Sequence, residues 1–195
     1  TPNRLKGNVK RNDYPFISDD EVPEPRVETA DYRQSGYDRG HICPSADRLN
    51  SKEANEQTYY LSNIQPQKKG FNMGVWRTME SALRNTWNTN NYRDVLYICK
   101  GGTIDKSSQI AGYTSKSKLI VPKYYFTAIL SVKNGKYHAL GLWFEHKSNE
   151  DTKLRNYAVT IDRLEKLTGI DFFCNLPDAI ENEVEAKIDL KWWGL

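Results

Sequence analysis

Cysteine is scarce in this chain of 195 residues: Cys43, Cys99 and Cys174 are odd in number and far apart. That spacing excludes a disulfide-framed mini-domain and a zinc cluster built on cysteine pairs. One long-range disulfide plus a free thiol, or three reduced thiols, are the states left open. Cys99 and Cys174 fall in apolar, strand-like runs, where a buried thiol is common. Long hydrophobic runs are missing as well. The most apolar stretch, Tyr124 to Val132, is interrupted by Thr127 and Ser131 and falls short of the ~18 apolar residues of a membrane span. Charge of one sign is also lacking, since 28 Lys and Arg against 25 Asp and Glu leave a formal net charge of +3. The strong basic footprint of many nucleic-acid binders is therefore absent, although a local basic patch is still allowed. Repeats and low-complexity segments are absent, so no solenoid or tail is encoded.

Aromatic residues, by contrast, are plentiful. Five Trp, twelve Tyr and six Phe supply large buried area per residue, and the length suits one domain spanning 1–195. Residues 1–35 are polar, with Asp19, Asp20 and Glu21 before Pro23 and Pro25, and read as an irregular lead-in wrapped on the domain. Strand-like runs occur at Val95–Cys99, Leu119–Val121, Tyr124–Val132 and Tyr137–Phe144. Asn134-Gly135 between the last two marks a tight hairpin. A helix is expected from about Gly74 to Asn88, because Trp76, Met79, Leu83 and Trp87 form one apolar stripe. A second is expected at Ile161–Thr168, ended by Gly169, and a third after Pro177. Blocks of strands and helices without βαβ alternation indicate an α+β fold: a central antiparallel sheet flanked by helices.

The segment Tyr37-Asp38-Arg39-Gly40-His41 carries the clearest chemistry. In extended backbone, alternate side chains share a face, so Arg39 and His41 project together. A guanidinium grips an anion in a fork, while an imidazole handles a proton. Gly40 permits close approach of a substrate or an unusual dihedral, and Asp38 can hold the strand or orient its neighbours. Downstream lie Leu61-Ser62-Asn63, then Asn72, Trp76, Glu80 and Arg84. Taken singly these are bland: Glu80 and Arg84 are an ordinary i,i+4 pair, and Asn63 and Asn72 suit turns or caps. His138 and His146 lie in or beside an apolar strand and read as structural; Lys68-Lys69 reads as a solvated pair.

In combination they resemble the DNA/RNA non-specific endonucleases of the ββα-metal superfamily, which includes secreted bacterial nucleases and mitochondrial endonuclease G. The resemblance rests on Asp-Arg-Gly-His at 38–41, Pro-Ser-Ala-Asp-Arg at 44–48, Leu-Ser-Asn at 61–63 and Asn72-x-x-x-Trp76-x-x-x-Glu80. It implies a ββα-metal fold with its catalytic core at 36–90. It implies His41 as general base, Asn72 as the direct protein ligand to a divalent ion, and Glu80 reaching that ion through water. Asn63 would position base and substrate, Arg39 and Arg84 would bind phosphate oxygens, and Arg11 is the match for a further arginine in the lead-in. Met73 stands where many relatives carry a longer polar residue. The ion implied is Mg²⁺, with Mn²⁺ or another divalent ion as substitutes, and the partners are DNA and RNA, cut to leave 5′-phosphates.

Spacing bears on the metal roles independently. On one straight helix, eight residues would separate Asn72 from Glu80 by ~12 Å, too far for both to touch one ion. A lone neutral oxygen ligand suits Mg²⁺, which keeps several waters. Two other function classes share these residues: a nucleic-acid-binding module without catalysis, and a phosphodiesterase acting on small nucleotides. The chain opens on Thr1, and a cleaved signal together with the hazard of a promiscuous nuclease gives the expectation of a secreted or periplasmic protein; an intracellular protein inhibitor would meet the same need.

Overall fold

The computed structural model describes residues 7, 9, 14–114, 119–148 and 150–195. The chain runs β1 (Asp38–His41), α1 (Lys52–Gln57), β2 (Ile64–Gln67), α2 (Lys69–Phe71), α3 (Arg77–Ala82) and β3 (Val95–Gly102). It continues through β4 (Ile110–Tyr113), β5 (Ile120–Pro122), β6 (Tyr124–Lys133), β7 (Lys136–Glu145), β8 (Ala158–Val159), α4 (Ile161–Thr168) and α5 (Asp178–Glu185). The central sheet has the order β3-β6-β7-β8, all antiparallel, and two further antiparallel pairs, β1-β2 and β4-β5, lie outside it. A β1-β2 pair followed directly by helix is the ββα unit.

The β6-β7 hairpin closes through Asn134 and Gly135, both with positive φ (49° and 72°) between the paired Lys133 and Lys136. Two left-handed residues in a row match the right-handed twist of the strands, and Asn-Gly reaches that geometry at low cost. Both faces of the hairpin are covered. Tyr125, Ile129, Leu140, Leu142 and Phe144 pack on one face against Phe71, Val75, Trp76, Met79, Leu83 and Trp87. Phe126, Ala128, Leu130 and Ala139 pack on the other against Ile161, Leu164, Phe172 and Val184. The odd–even division follows from the two-residue period of a strand. β3 lies at a sheet edge and leaves Tyr97 and Ile98 exposed.

The helical stripe packs as its spacing predicts, with Trp76, Met79, Leu83 and Trp87 each at most 2% exposed. Its start differs. Helical backbone begins at Lys69, and a π-helical turn at Asn72–Trp76 contains Gly74 in non-helical geometry (φ −97°, ψ −116°). The glycine breaks the helix, so the spacing of one straight helix does not apply between Asn72 and Glu80. A second π-helical turn, Leu83–Trp87, ends the segment. α4 ends where expected, with Gly169 left-handed at φ 79°, and α5 begins directly after Pro177.

The cysteines depart from expectation. All three are free; Cys99 and Cys174 are exposed and Cys43 is half-buried. Cys99 is on the edge strand, and Cys174 is in the turn after α4 rather than in a strand. The lead-in does wrap on the body: Ile17 N–H donates to Tyr59 O (3.3 Å) and Leu61 N–H to Ile17 O (2.9 Å). Tyr32 donates its hydroxyl to Ile64 O (3.2 Å) and packs with Leu61 and Ile64.

Both histidines outside the motif are structural. His138 stacks on Trp192 with ring centroids 3.7 Å apart. His146 is buried; its Nδ1–H donates to Pro122 O (2.8 Å), while Nε2 accepts Lys68 N–H (2.7 Å) at the start of α2. That bond needs the neutral ring, and burial lowers the pKa of His146 below the ordinary histidine value, outweighing the Pro122 carbonyl. The unfolded ring protonates near ~6.5. The stabilisation from neutral His146 is therefore complete above that pH and is lost as the pH falls through the lower folded-state pKa. Urea unfolding of the wild type and His146→Gln is expected to differ by about 1–3 kcal/mol on the neutral side, with the gap narrowing as the pH is lowered. A gap independent of pH would contradict the neutral-acceptor role.

Candidate active site

Four residues of β1 sort by face. Arg39 and His41 both meet the Phe16 ring: the guanidinium carbon lies 5.2 Å from its centroid, and the imidazole centroid 5.4 Å from it. Tyr59 makes an edge contact to the same imidazole at 5.3 Å. The stitching of residue 17 to residues 59 and 61 thus brings two aromatic walls to His41. Behind it, the Trp76 indole N–H donates to His41 O (3.3 Å), which ties β1 to the helical segment.

The Arg39 guanidinium also lies 5.8 Å from the Tyr32 ring, and its Nη2 donates to Thr29 O at 3.5 Å. Aromatic faces attract a cation and fix its plane. Burial raises the pKa of Tyr32, against the opposing effect of Arg39, so this wall stays neutral. Asp38 engages a different partner. Its Oδ2 accepts from Asn72 Nδ2 at 3.2 Å. With the amide nitrogen committed, Oδ1 is left as the acceptor of Asn72. Phe16, Tyr32, Tyr37, Asp38, Arg39 and Asn72 line one pocket of about 330 Å³. A carboxylate behind a carboxamide, with oxygen left over, fits a hard divalent cation.

Other expected residues are used differently. Gly40 makes room inside the protein: a Cβ there would come within 2.1–2.4 Å of the Gln67 side chain, which is fully buried. Asn63 is committed to backbone. Its Oδ1 accepts Cys43 N–H (2.9 Å), and Nδ2 donates to Cys43 O (2.9 Å) and Thr58 O (2.8 Å). Both amide hydrogens and one of the two oxygen lone pairs are used, so Asn63 brackets the loop after His41 to the residue before Tyr59. Arg84 is not a lone cation, for its Nε donates to Asp47 Oδ1 at 2.7 Å. Glu80 shares a concavity with Arg77, Ser81 and Arg84 and does not line the pocket holding Asn72. Arg11 lies outside the described residues.

Beyond His41 a groove of about 570 Å³ is lined by Ile42, Cys43, Asp47, Arg48, Arg84, Leu96, Tyr97 and Lys100, among others. Asp38 and Arg39 of β1 thus line the small pocket, and Ile42 and Cys43, just past the end of the strand, line the groove. Asp47, Phe16, Tyr59 and Gln67 were not singled out by sequence reasoning. Asp47 sat inside the quoted Pro-Ser-Ala-Asp-Arg run, and the Phe16 and Tyr59 contacts depend on long-range stitching that no local pattern signals.

A model of the family described as DNA/RNA non-specific endonuclease matches residues 1–179. The chain belongs to that family. It is 32% identical over 196 residues to a nuclease of Nostoc sp., covering 94% of this chain and 68% of that protein. It is 30% identical over 185 residues to human mitochondrial endonuclease G, covering 90% of this chain and 61% of that protein. A mitochondrial nuclease of Saccharomyces cerevisiae is 34% identical over 211 residues, 96% and 63% of the two chains. The chain thus spans about three-fifths to two-thirds of these relatives' lengths. Among solved structures, a chain of the EndoG/EndoGI complex superposes with a TM-score of 0.80 at 24% identity, over 92% of this chain and 78% of that one, which shows the shared endonuclease fold.

The glycine requirement is testable. Gly40→Ala is expected to cost about 1–3 kcal/mol of stability through overpacking, and the same change in a Gln67→Ala background much less. Equal penalties by chemical denaturation in the two backgrounds would move the requirement away from Gln67.

Proposed function

We propose that this family member hydrolyses phosphodiester bonds of both DNA and RNA in a divalent-metal-dependent reaction, with His41 as the general base. The observation that carries the reading is the Asp38–Asn72 hydrogen bond set beside Arg39 and His41 on one short strand. It supplies an oriented neutral oxygen donor, an anion-binding cation and a proton acceptor within one neighbourhood.

Water attacks phosphorus in line while the His41 ring removes its proton, and Phe16 and Tyr59 hold the plane of that ring. Arg39, fixed between Phe16 and Tyr32, presents positive charge to the non-bridging oxygens. Asn72 would hold the ion directly, Mg²⁺ in our assignment, and Glu80, which lines a separate concavity beyond the Gly74 break, would reach it only through water. When bound, the ion neutralises charge on the leaving oxygen. Arg84, oriented by Asp47, adds charge at the mouth of the groove.

The groove gives the substrate its path. Arg48, Arg84 and Lys100 supply phosphate contacts, and exposed Tyr97 offers a ring face to a base. Contacts to backbone and ring faces carry no direct sequence information, so low sequence specificity follows. Among the described residues no helix is long and apolar enough to cross a membrane. An enzyme of this kind endangers its own cell, and we infer control either by export to the periplasm or medium or by a protein inhibitor. The solved EndoG relative is held by EndoGI.

Plasmid and RNA cleavage with and without chelator tests the reading. His41→Ala is expected to lower cleavage by about 10²–10⁴ while the Mg²⁺ concentration giving half-maximal rate stays put. Near-wild-type cleavage would remove His41 as base, and no chelator-sensitive cleavage by the wild type would remove the function. Asn72→Ala is expected to move the Mg²⁺ midpoint upward, and Asp38→Ala to move it in the same direction by about 10–100-fold. An unchanged midpoint in both would contradict the ligand assignment.

A further inference from the structure

Across the central sheet from His41, α4 and α5 bring carboxylates together without a cation. Asp162 and Glu165 are three residues apart on α4, and Glu181 and Glu185 four apart on α5, so each pair lies on one helix face. One carboxylate oxygen each from Asp162, Glu165 and Glu185 lies within 4.8 Å of the others. Glu185 is only 5% exposed, and its Oε1 is buried with no hydrogen-bond partner; Glu181 Oε1 is in the same condition. No ion pair reaches any of the four among the described residues. Glu165 is partly committed, since Oε1 accepts the Phe172 amide at 2.8 Å.

A buried carboxylate with an unfilled oxygen is costly, and two or more side by side cost more. A proton on one of them or a cation among them removes that cost. We infer that Asp162, Glu165 and Glu185 form a Ca²⁺ site that clamps α4 to α5, separate from the catalytic ion.

Ligand type favours calcium over magnesium. Oxygens on opposite sides of a Ca²⁺ ion are about 4.6–5.2 Å apart, against about 4.0–4.2 Å for Mg²⁺, and separations within 4.8 Å admit either ion. Ca²⁺ takes bidentate carboxylates and irregular geometry, which suits side chains drawn from two helices. Glu185 is in the last turn of α5, where no basic residue balances the helix's negative end. Burial, then the charges of Glu165, Glu181, Asp162 and Asp171, push the pKa of Glu185 up to about 8. Protons and Ca²⁺ compete for the same oxygens, so Ca²⁺ affinity falls as the pH is lowered.

The experiment is thermal unfolding of the full chain, stripped with chelator and titrated with CaCl₂ on the alkaline side of neutrality. Wild type is expected to gain roughly 5–10 °C at Ca²⁺ near a hundred times its Kd. Glu185→Gln is expected to lose that response yet keep Mg²⁺-dependent plasmid nicking, and without Ca²⁺ to melt no lower than the stripped wild type. Asp162→Asn, on the more exposed side, serves the same purpose should Glu185→Gln not fold. Asn72→Ala is expected to keep the Ca²⁺ response. A wild-type Tm indifferent to Ca²⁺ would mean that the cluster holds a proton only. A response kept by Glu185→Gln and Asp162→Asn but lost in Asn72→Ala would assign it to the catalytic ion. Either result overturns the site.

Discussion

The Trp76 indole is where the site and the core meet. Its ring is about 1% exposed and packs against Phe71, Tyr125 and Phe144 at centroid distances of 5.6, 5.3 and 6.0 Å. Its only polar atom donates to the backbone oxygen of His41. A buried N–H finds a partner or costs free energy, so the position of β1 is set by the same contacts that fill the core. The β1-β2 pair contributes few buried apolar side chains of its own and depends on this anchor for rigidity. Asn63 fixes the loop after the strand by bonding both backbone groups of Cys43. The proposed catalysis would require tolerances of about half an ångström, and these neutral hydrogen bonds restrain the strand and its loop without placing charge there.

The helix break at Gly74 serves the same geometry. An uninterrupted helix from Lys69 to Trp87 would carry Asn72 and the Trp76 stripe on one straight axis. With the backbone non-helical at Gly74, the turn bearing Asn72 is oriented apart from α3, and its start is pinned by the His146 bond to the Lys68 amide. His146 directly follows β7, so the hairpin that forms the core also sets where Asn72 begins its turn. This is why a histidine with no motif around it is buried among Tyr125 and Phe71.

What the sequence showed well depended on period and on local chemistry. The Trp76–Trp87 stripe, the Asn134-Gly135 turn and the Gly169 cap are decided within a few residues, and the structure has all three. β4, the short β2 and α1 were not anticipated: β2 contains Pro66, and α1 has almost no apolar stripe, being held by the Ser51 cap on Ala54 N–H. Arg39, Asn72 and Asp38 were singled out from the sequence and line one pocket in the structure, yet their pairings were not legible. Arg84 with Asp47 and Gly40 with Gln67 join residues 37 and 27 positions apart, which no periodicity encodes. The cysteines misled because a strand-like run says nothing about whether its strand is central or at an edge.

The near balance of charge hides a strong spatial division. Arg39, Arg48, Arg84 and Lys100 gather around His41 and the groove, while Asp162, Glu165, Asp171, Glu181 and Glu185 gather about α4 and α5 on the opposite face of the sheet. Interactions between exposed charges fade over about 8 Å in physiological salt, so a polyanion at the groove would meet the local cations rather than the molecular total. A net charge of +3 is then compatible with a phosphate-rich substrate, and a modest total favours release of the cut product. The carboxylates near the proposed centre are few, and two of them are already engaged: Asp38 with Asn72 and Asp47 with Arg84. Each turns a neighbour toward its task while offsetting only its own local charge. In the proposed mechanism, a cage of carboxylates there would bind a metal more firmly but would repel the phosphate that the ion would have to meet. A neutral carboxamide ligand backed by one aspartate would avoid that conflict, and the multi-carboxylate cluster stands on the other face of the sheet.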